Sequence, residues 1–180
     1  MIPRRARRAG IGLEPEPTSR RNALLTFKFD KTQSEVIDAA GSGANIFLTG
    51  VAGTGKSKVT ERIVSDARAA RKSVALTAPT GVAALNVGGT TIYSMAGCGV
   101  PDTARDFGNM WGNPETKDKW RELDMLVLDE VGMAKADFLD FLDHEVRRIR
   151  GDERPFGGVQ LVFVGDFAQL PPVQGNIRLC

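Results

Sequence analysis

The octapeptide GVAGTGKS at residues 50–57 constrains the fold of this chain more than any other segment. It matches the complete G-x-x-x-x-G-K-[ST] pattern, and it lies between a short apolar run and a segment with helical periodicity. A glycine-rich turn in this position lets the backbone wrap closely around phosphate, with its N–H groups and the next helix N-terminus facing the anionic oxygens. The pattern therefore predicts a P-loop, and a chance glycine turn is a poor alternative.

The residue types of the loop predict its contacts with a nucleotide. Lys56 can reach the β- and γ-phosphates, and the hydroxyl of Ser57 can bind Mg²⁺. We expect the nucleotide to be held by Gly50, Gly53, Thr54, Gly55, Lys56 and Ser57. The expected substrate is ATP, with Mg²⁺ as the cofactor.

A second part of the site is predicted at residues 125–130, MLVLDE, an apolar strand that ends in two acids. Asp129 is expected to hold Mg²⁺ through water, and Glu130 to orient or deprotonate the attacking water. Such an acid pair is a weak signal alone, but it is strong together with an upstream P-loop. Because parallel strands end at the same edge of a sheet, both acids should lie beside the P-loop. Lys56, Ser57, Asp129 and Glu130 therefore predict hydrolysis of Mg·ATP.

The periodicity of apolar residues predicts short strands that alternate with helices. Strands are expected at residues 46–48, 73–77, 125–128 and 161–164, and helices at residues 32–40, from the P-loop to about 71, and at 134–149. Thr32 is the expected N-cap of the first helix. The apolar stripe of the last helix comprises Phe138, Leu142, Val146 and Ile149. This alternation indicates an α/β fold of three layers, with a mainly parallel central sheet covered on both faces.

The ends and the loops of the chain carry less information. Residues 1–26 are expected to form a disordered arm; its arginines suit a nucleic-acid contact, a nuclear-localisation signal or no specific role, and the scarcity of serine argues against a transit peptide. Residues 98–114 are expected to form a long surface loop. Cys98 and Cys180 lack metal-ligand spacing, which favours an intracellular protein with reduced thiols. No apolar run approaches the ~18 residues of a membrane span.

Five further segments resemble those of a known protein family. They are DKTQ at residues 30–33, APTGVAAL at 78–85, GGTTIYS at 88–94, PFGGVQ at 155–160 and GDFAQLPPV at 165–173. In this order they resemble the PIF-type DNA helicases, a branch of superfamily one, from about residue 27 to residue 173. The resemblance implies a RecA-like P-loop lobe in which the strand at 161–164 inserts between the P-loop strand and the strand that ends in Asp129 and Glu130.

The resemblance also implies roles for single residues. Gln33 is expected to read adenine, and Gln169 to sense the γ-phosphate as a third catalytic residue. Single-stranded DNA is expected to contact Pro79, Thr80, Gly81, Thr90 and Tyr93. The family usually has histidine at the position of Tyr93, so this tyrosine either stacks on a base or simply packs. Gly132 also departs from the usual serine, with little consequence expected for ATP binding.

Arg147 and Arg150 are interpreted as the solvated end of a helix, where their charges complement the helix dipole.

Helicases of this type need two RecA-like lobes with ATP between them, and residues 27–180 are expected to be the first lobe alone. The second lobe would supply an arginine finger, which is worth ~10³–10⁵ in rate in related enzymes. We therefore expect feeble ATP hydrolysis by this chain alone, and an open edge beside the P-loop strand.

Three functions remain open from the sequence. The first is the ATPase lobe of a helicase that moves along single-stranded DNA, 5′ to 3′, in repair, recombination or telomere maintenance. It would be located in the nucleus or mitochondrion of a eukaryote, or in the cytoplasm of a bacterium. The second is a module that binds ATP or DNA with little turnover. The third is the lobe of a RecD-like helicase, which the signature at residues 155–160 disfavours.

Overall fold

The computed structural model describes residues 27–99 and 113–166. The predictions for the arm at residues 1–26, for most of the loop at 98–114, for Gln169 and for Cys180 lie outside the described residues. The helices are α1 (Lys31–Gly41), α2 (Lys56–Ala69), α3 (Gly81–Asn86), α4 (Ile92–Ala96), α5 (Pro114–Glu122) and α6 (Ala136–Arg150). The strands are β1 (Ile46–Thr49), β2 (Val74–Ala78), β3 (Thr90–Thr91), β4 (Met125–Leu128) and β5 (Gln160–Gly165). Short 3-10 turns cover Val131–Met133 and Pro155–Gly158.

The described strands form one parallel sheet in the order β1-β5-β4-β2-β3. β5 lies between the P-loop strand β1 and the acid-bearing strand β4, so the insertion that the family resemblance implied is confirmed. β4 is buried along its whole length because it has a strand on either side and helices on both faces. β1 forms one edge of the described sheet, and β3 forms the other.

Alternate residues of β4 enter two separate cores. Met125 and Val127 pack with the apolar face of α2 in one core, to which Ala40 of α1 also belongs. Leu126 and Leu128 pack on the other side, in the core that holds α4, α5 and α6. The predicted stripe of α6 lies in this second core, with Phe138, Leu142 and Val146 buried and Ile149 packed against them. The three-layer α/β fold is therefore confirmed.

Four short elements were not predicted from the sequence, namely β3, α3, α4 and α5. The helices among them begin at side-chain caps: Thr80 accepts from Ala83 N, Thr91 from Ser94 N and Asn113 from Glu115 N. β3 has only two residues, too few to show periodicity, and it pairs with β2. Gly89 precedes it where a Cβ atom would lie 2.0 Å from the carbonyl oxygen of Leu76, so only glycine allows this approach.

The start of α1 corrects one prediction. The N-cap is Asp30 and not Thr32. The Asp30 carboxylate accepts from the backbone N–H of Gln33 at 2.8 Å, and the Gln33 side chain accepts from the backbone N–H of Asp30 at 3.1 Å. This reciprocal capping box satisfies two helix-end donors at once, and a cap at Thr32, two residues later, could not form it with Gln33.

The contacts at the end of α6 correct a second prediction. Arg150 is not a solvated helix end, because its guanidinium donates to the carbonyl oxygens of Trp120, Arg121, Leu123 and Gly157 at distances between 2.6 and 3.0 Å. Arg147 is paired with Asp143 at 2.6 Å. Arg150 thereby ties α5, the start of β4 and the turn at Pro155–Gly158 together. This joint lies at the amino ends of β4 and β5, opposite the P-loop edge.

No helix in residues 27–99 or 113–166 is long and apolar enough to cross a membrane.

Candidate nucleotide site

The P-loop connects the end of β1 to the first turn of α2. Gly53 and Gly55 have φ angles of 84° and 81°, in the left-handed region that favours glycine. Gly55 is the N-cap of α2, and its carbonyl oxygen accepts from the backbone N–H groups of Lys58 and Val59 at 2.9 and 3.1 Å. Thr54 closes the turn by donating its hydroxyl to Val51 O at 2.9 Å. The loop therefore has the turn and helix start that the motif predicts.

Lys56 lies across the inside of this loop. Its ammonium donates to the carbonyl oxygen of Gly50 and, at 3.1 Å, to that of Val51. The side chain is half-buried, whereas the neighbouring Ser57 is exposed at the start of the helix. The charge of Lys56 is thus held over the loop where phosphate oxygens of a nucleotide would be received.

Asp129 and Glu130 follow β4 at the carboxyl edge of the sheet. The backbone N–H of Asp129 donates to Thr77 O at 2.9 Å, and its carboxylate accepts from the backbone N–H of Glu130 at 2.9 Å. Glu130 has φ 51° and ψ 41°, a left-handed conformation that is unfavourable for a residue with a Cβ atom. Such strain is concentrated at functional sites, where surrounding contacts maintain it.

The charge of Lys56 in the P-loop influences the pKa of both acids. Burial raises the pKa of Asp129 above its ordinary value, while the N–H of Glu130 and the charge of Lys56 lower that pKa in part. Burial also raises the pKa of Glu130, with a further increase from Asp129 and a smaller one from Asp166, against the effect of Lys56. Lys56 therefore acts on both carboxylates. A second cation between them and the phosphates would favour their ionised forms.

Gln33 lies against the P-loop from the side of α1. Its side-chain nitrogen donates to Thr54 O at 3.1 Å, while its side-chain oxygen takes part in the capping box. The contact is tight enough that a Cβ atom on Gly55 would lie 2.9 Å from this nitrogen. The structure therefore brings Gln33 against the P-loop through a direct bond to the loop backbone, and its contact with adenine stays a prediction.

The residues predicted to contact DNA differ in their solvent exposure. Pro79 is buried, Thr80 is half-buried and caps α3, and Gly81 and Thr90 are exposed. Tyr93 is only 5% exposed, and its ring packs against Phe138 with the centroids 4.6 Å apart. Burial also raises the pKa of the Tyr93 hydroxyl. Stacking of Tyr93 on a base is therefore contradicted, because the ring is enclosed in the core; the packing alternative is correct.

Two residues of this edge were missed by the sequence analysis. Thr77 is buried at the end of β2, and its hydroxyl donates to Val127 O at 2.7 Å. A threonine in an otherwise apolar strand, VALTA, was the only signal available. Asp166 follows β5 and raises the pKa of Glu130; the segment GDFAQLPPV contains it, but its position near Glu130 depends on the order of the strands.

A parallel sheet with a P-loop after one strand and an acid pair after another, at the same edge, defines a P-loop nucleotide-binding domain of the RecA-like type. The model of the PIF1-like helicase family matches residues 28–178. The chain therefore belongs to the PIF1-like helicase family.

Two curated relatives illustrate this similarity. The chain is 44% identical over 147 residues to ATP-dependent DNA helicase PIF1 of Saccharomyces cerevisiae (strain YJM789), a match that covers 79% of the chain and 17% of the relative. It is 46% identical over 146 residues to ATP-dependent DNA helicase PIF7 of Trypanosoma brucei brucei, covering 76% of the chain and 14% of the relative. The chain thus spans less than a fifth of the length of either relative.

Two solved helicase structures are similar to this chain in fold. The Pif1 helicase of Candida albicans superimposes with a TM-score of 0.77 at 39% identity, over 83% of this chain and 35% of that one. The Pif1 helicase of Bacteroides in complex with ADP-AlF3 and single-stranded DNA superimposes with a TM-score of 0.73 at 30% identity, over 83% of this chain and 34% of that one.

Proposed function

We propose that this chain is the ATP-binding lobe of an ATP-dependent DNA helicase, in which hydrolysis of Mg·ATP is coupled to movement along single-stranded DNA. The observation that supports this most is the position of Lys56, which lies inside the P-loop and within the electrostatic reach of both Asp129 and Glu130. A cation that binds phosphate and an acid pair that binds Mg²⁺ and water are the two parts that phosphoryl transfer to water requires.

Each residue has a separate task in this proposal. The backbone of residues 50–57 and Lys56 bind the β- and γ-phosphates. Ser57 and Asp129 are the donors for Mg²⁺, an oxygen-only set that suits this ion when phosphates and water complete its coordination. When bound, Mg²⁺ neutralises charge that develops on the phosphates. Glu130 orients the attacking water and accepts its proton.

Nucleotide selectivity is assigned to Gln33. Its amide has a further N–H and a further lone pair besides the bonds to Thr54 and Asp30, so it can also bind an adenine edge. Gln169 is proposed as the sensor of the γ-phosphate. This residue lies outside the described residues, and its assignment rests on the family pattern.

The DNA-binding surface is proposed at the carboxyl end of β2 and at β3. Gly81 and Thr90 are exposed there, and Thr80 is half-buried. Exposed backbone N–H groups and hydroxyls suit phosphate contacts, which carry no sequence information. The Bacteroides Pif1 structure with single-stranded DNA supports this ligand class for the family fold. Tyr93 is excluded from the surface by its burial.

The proposed lobe acts together with a second one. The relatives are several times longer than this chain. We propose that residues 27–180 form the first lobe, that residues 1–26 lie outside it, and that fast turnover requires an arginine from a second lobe. Repair, recombination and telomere maintenance are the proposed processes, at an intracellular location.

The test is steady-state ATP hydrolysis by the chain, with and without single-stranded DNA, and with Glu130→Gln beside it. Glu122→Gln serves as the matched control, because Glu122 is an exposed acid at the end of α5, away from the site. Slow turnover that DNA stimulates, that Glu130→Gln loses and that Glu122→Gln keeps would support the helicase lobe. Binding of Mg·ATP without any turnover would favour the binding module instead.

A further inference from the structure

Thr77 carries a hydroxyl in a place where packing alone would favour an apolar side chain. The residue is 0% exposed and lies near the end of β2, in the strand VALTA. Burying a hydroxyl is unfavourable unless it is hydrogen-bonded, and valine would have nearly the same shape and a high preference for strands. The hydroxyl of Thr77 therefore calls for an explanation in the contacts that it makes.

Thr77 contacts the end of the neighbouring strand through one side-chain bond and one main-chain bond. The Thr77 hydroxyl donates to Val127 O at 2.7 Å, and the Thr77 carbonyl oxygen accepts from the backbone N–H of Asp129 at 2.9 Å. The two bonds flank Leu128, which is the residue opposite Thr77 in the parallel register and the last residue of β4. One residue thus fixes β4 on both sides of its final position.

The chain turns sharply immediately after this point. The Asp129 carboxylate accepts from the N–H of Glu130, and Glu130 takes the left-handed conformation with φ 51°. A strained turn persists only when the surrounding structure maintains it. Any displacement of the end of β4 would move the backbone of Asp129 and, through the turn, both carboxylates.

We propose that Thr77 is a positioning residue for the Mg·ATP site. Its hydroxyl fixes the end of β4, and so the carboxylate of Asp129 is held where it binds the metal ion. Thr77 itself touches neither nucleotide nor metal in this assignment. The inference rests on the proposed function, since it specifies how the metal donor of that site is held in place.

Two substitutions separate the hydroxyl from the methyl group. Thr77→Val keeps the shape of the side chain and removes the donor, whereas Thr77→Ser keeps the donor and removes the methyl group. The readout is the dissociation constant of a fluorescent ATP analogue, measured with the 180-residue chain in EDTA and again at saturating Mg²⁺. The ratio of the two constants is the enhancement of binding by Mg²⁺, and the thermal unfolding temperature is measured on the same samples.

We expect Thr77→Val to reduce the Mg²⁺ enhancement by about fivefold, which corresponds to ~1 kcal/mol, with an unfolding temperature close to that of the unchanged chain. Thr77→Ser should keep the enhancement although it unfolds at a lower temperature, because it leaves a small cavity in the core. A merely structural role would make the enhancement follow the unfolding temperature in both variants.

Three results would overturn the inference. The first is an enhancement in Thr77→Val within about twofold of that of the unchanged chain, a difference well below ~1 kcal/mol. The second is failure of Thr77→Val to fold while Thr77→Ser folds and keeps its enhancement, which would assign the hydroxyl to stability alone. The third is a folded, unchanged chain that gains no affinity for the analogue from Mg²⁺; this result contradicts the proposed metal site itself, and so it is distinguishable from the first two.

Discussion

The side-chain amide of Gln33 donates to the carbonyl oxygen of Thr54 at 3.1 Å, and this bond joins the first helix to the P-loop. The same side chain accepts from the backbone N–H of Asp30 in the capping box. Gln33 is therefore held in place by two backbone groups before any nucleotide arrives. Because its partner on one side is the P-loop itself, its effect on binding should extend beyond the adenine ring.

Gln33→Ala should weaken the binding of both ATP and GTP, and ATP by more. The common loss reports the bond to Thr54 O, and the additional loss for ATP reports the contact with adenine, each worth about 1 kcal/mol. Competition binding with the two nucleotides measures both parts. Ser34→Ala is the matched control, because the Ser34 hydroxyl caps the same helix turn by donating to Asp30 O and does not contact the loop. Equal affinities before and after Gln33→Ala would refute the contact.

Asp129→Asn should stabilise the chain without nucleotide at neutral pH while it abolishes the Mg²⁺ enhancement of ATP binding. Burial raises the pKa of Asp129 above its ordinary value of 3.8 in the folded state. The unfolded chain therefore releases this proton at a lower pH than the folded chain, so the free energy of unfolding falls as pH rises from the unfolded to the folded pKa. Asparagine keeps an oxygen for the N–H of Glu130 and removes the buried charge.

Thermal unfolding across this pH range measures the effect. The difference in unfolding temperature between Asp129→Asn and the unchanged chain should be larger at neutral pH than in acid. Asp124→Asn is a control in a similar position, at the amino end of the same strand, where its carboxylate accepts from the backbone N–H of Ser73 at 2.8 Å. A lower unfolding temperature for Asp129→Asn at neutral pH would show that the ionised carboxylate stabilises the fold instead.

Gly165→Ala should impair the site, whereas Gly132→Ala should not. A Cβ atom on Gly165 would lie 2.9 Å from Cγ1 of Val131, the residue after Glu130, while a Cβ atom on Gly132 would meet nothing within 4 Å. Overpacking of this kind costs about 1–3 kcal/mol and here displaces the turn that carries Glu130. Denaturant unfolding and Mg·ATP binding of the two variants provide the comparison. Similar behaviour of both would argue against close packing at the end of β5.

Arg150→Lys should destabilise the chain by about 2–3 kcal/mol. The planar guanidinium of arginine donates to carbonyl groups of three segments at once, and the compact ammonium of lysine cannot reach all of them. Affinity for single-stranded DNA, measured on the folded variant, should not change selectively. Arg148→Lys is the control, since Arg148 is 65% exposed and pairs with Glu145. A selective loss of DNA affinity at unchanged stability would instead assign Arg150 to DNA contact.

The sequence predicts the parts of this molecule that depend on local pattern. The P-loop, the acid pair of β4 and the stripe of α6 are each contained in one short segment, and each was found where expected. Tyr93, Arg150 and Thr77 behave differently, because what they do depends on partners that are distant in sequence. The ring of Tyr93 packs against Phe138, and the guanidinium of Arg150 donates to carbonyl groups in α5 and in the turn after α6.

Short helices and strands are also hard to predict from the sequence. β3 has two residues and α4 has five, so neither shows a period. The start of β3 depends on the close approach at Gly89, and the start of α4 depends on the cap at Thr91. Assignment of the first N-cap to Thr32 failed for a related reason. Two residues with capping side chains, Asp30 and Thr32, stand close together, and only the reciprocal bond with Gln33 selects Asp30.

Calorimetric titration of the chain with Mg·ATP, beside Lys56→Ala and Lys58→Ala, tests the nucleotide site most directly. Lys56 donates inside the P-loop, whereas Lys58 is an exposed lysine two positions later that pairs with Glu61 at 2.8 Å. We expect the unchanged chain and Lys58→Ala to bind Mg·ATP, and a folded Lys56→Ala to lose binding. Unchanged affinity for ATP in Lys56→Ala would contradict the assignment of the nucleotide site.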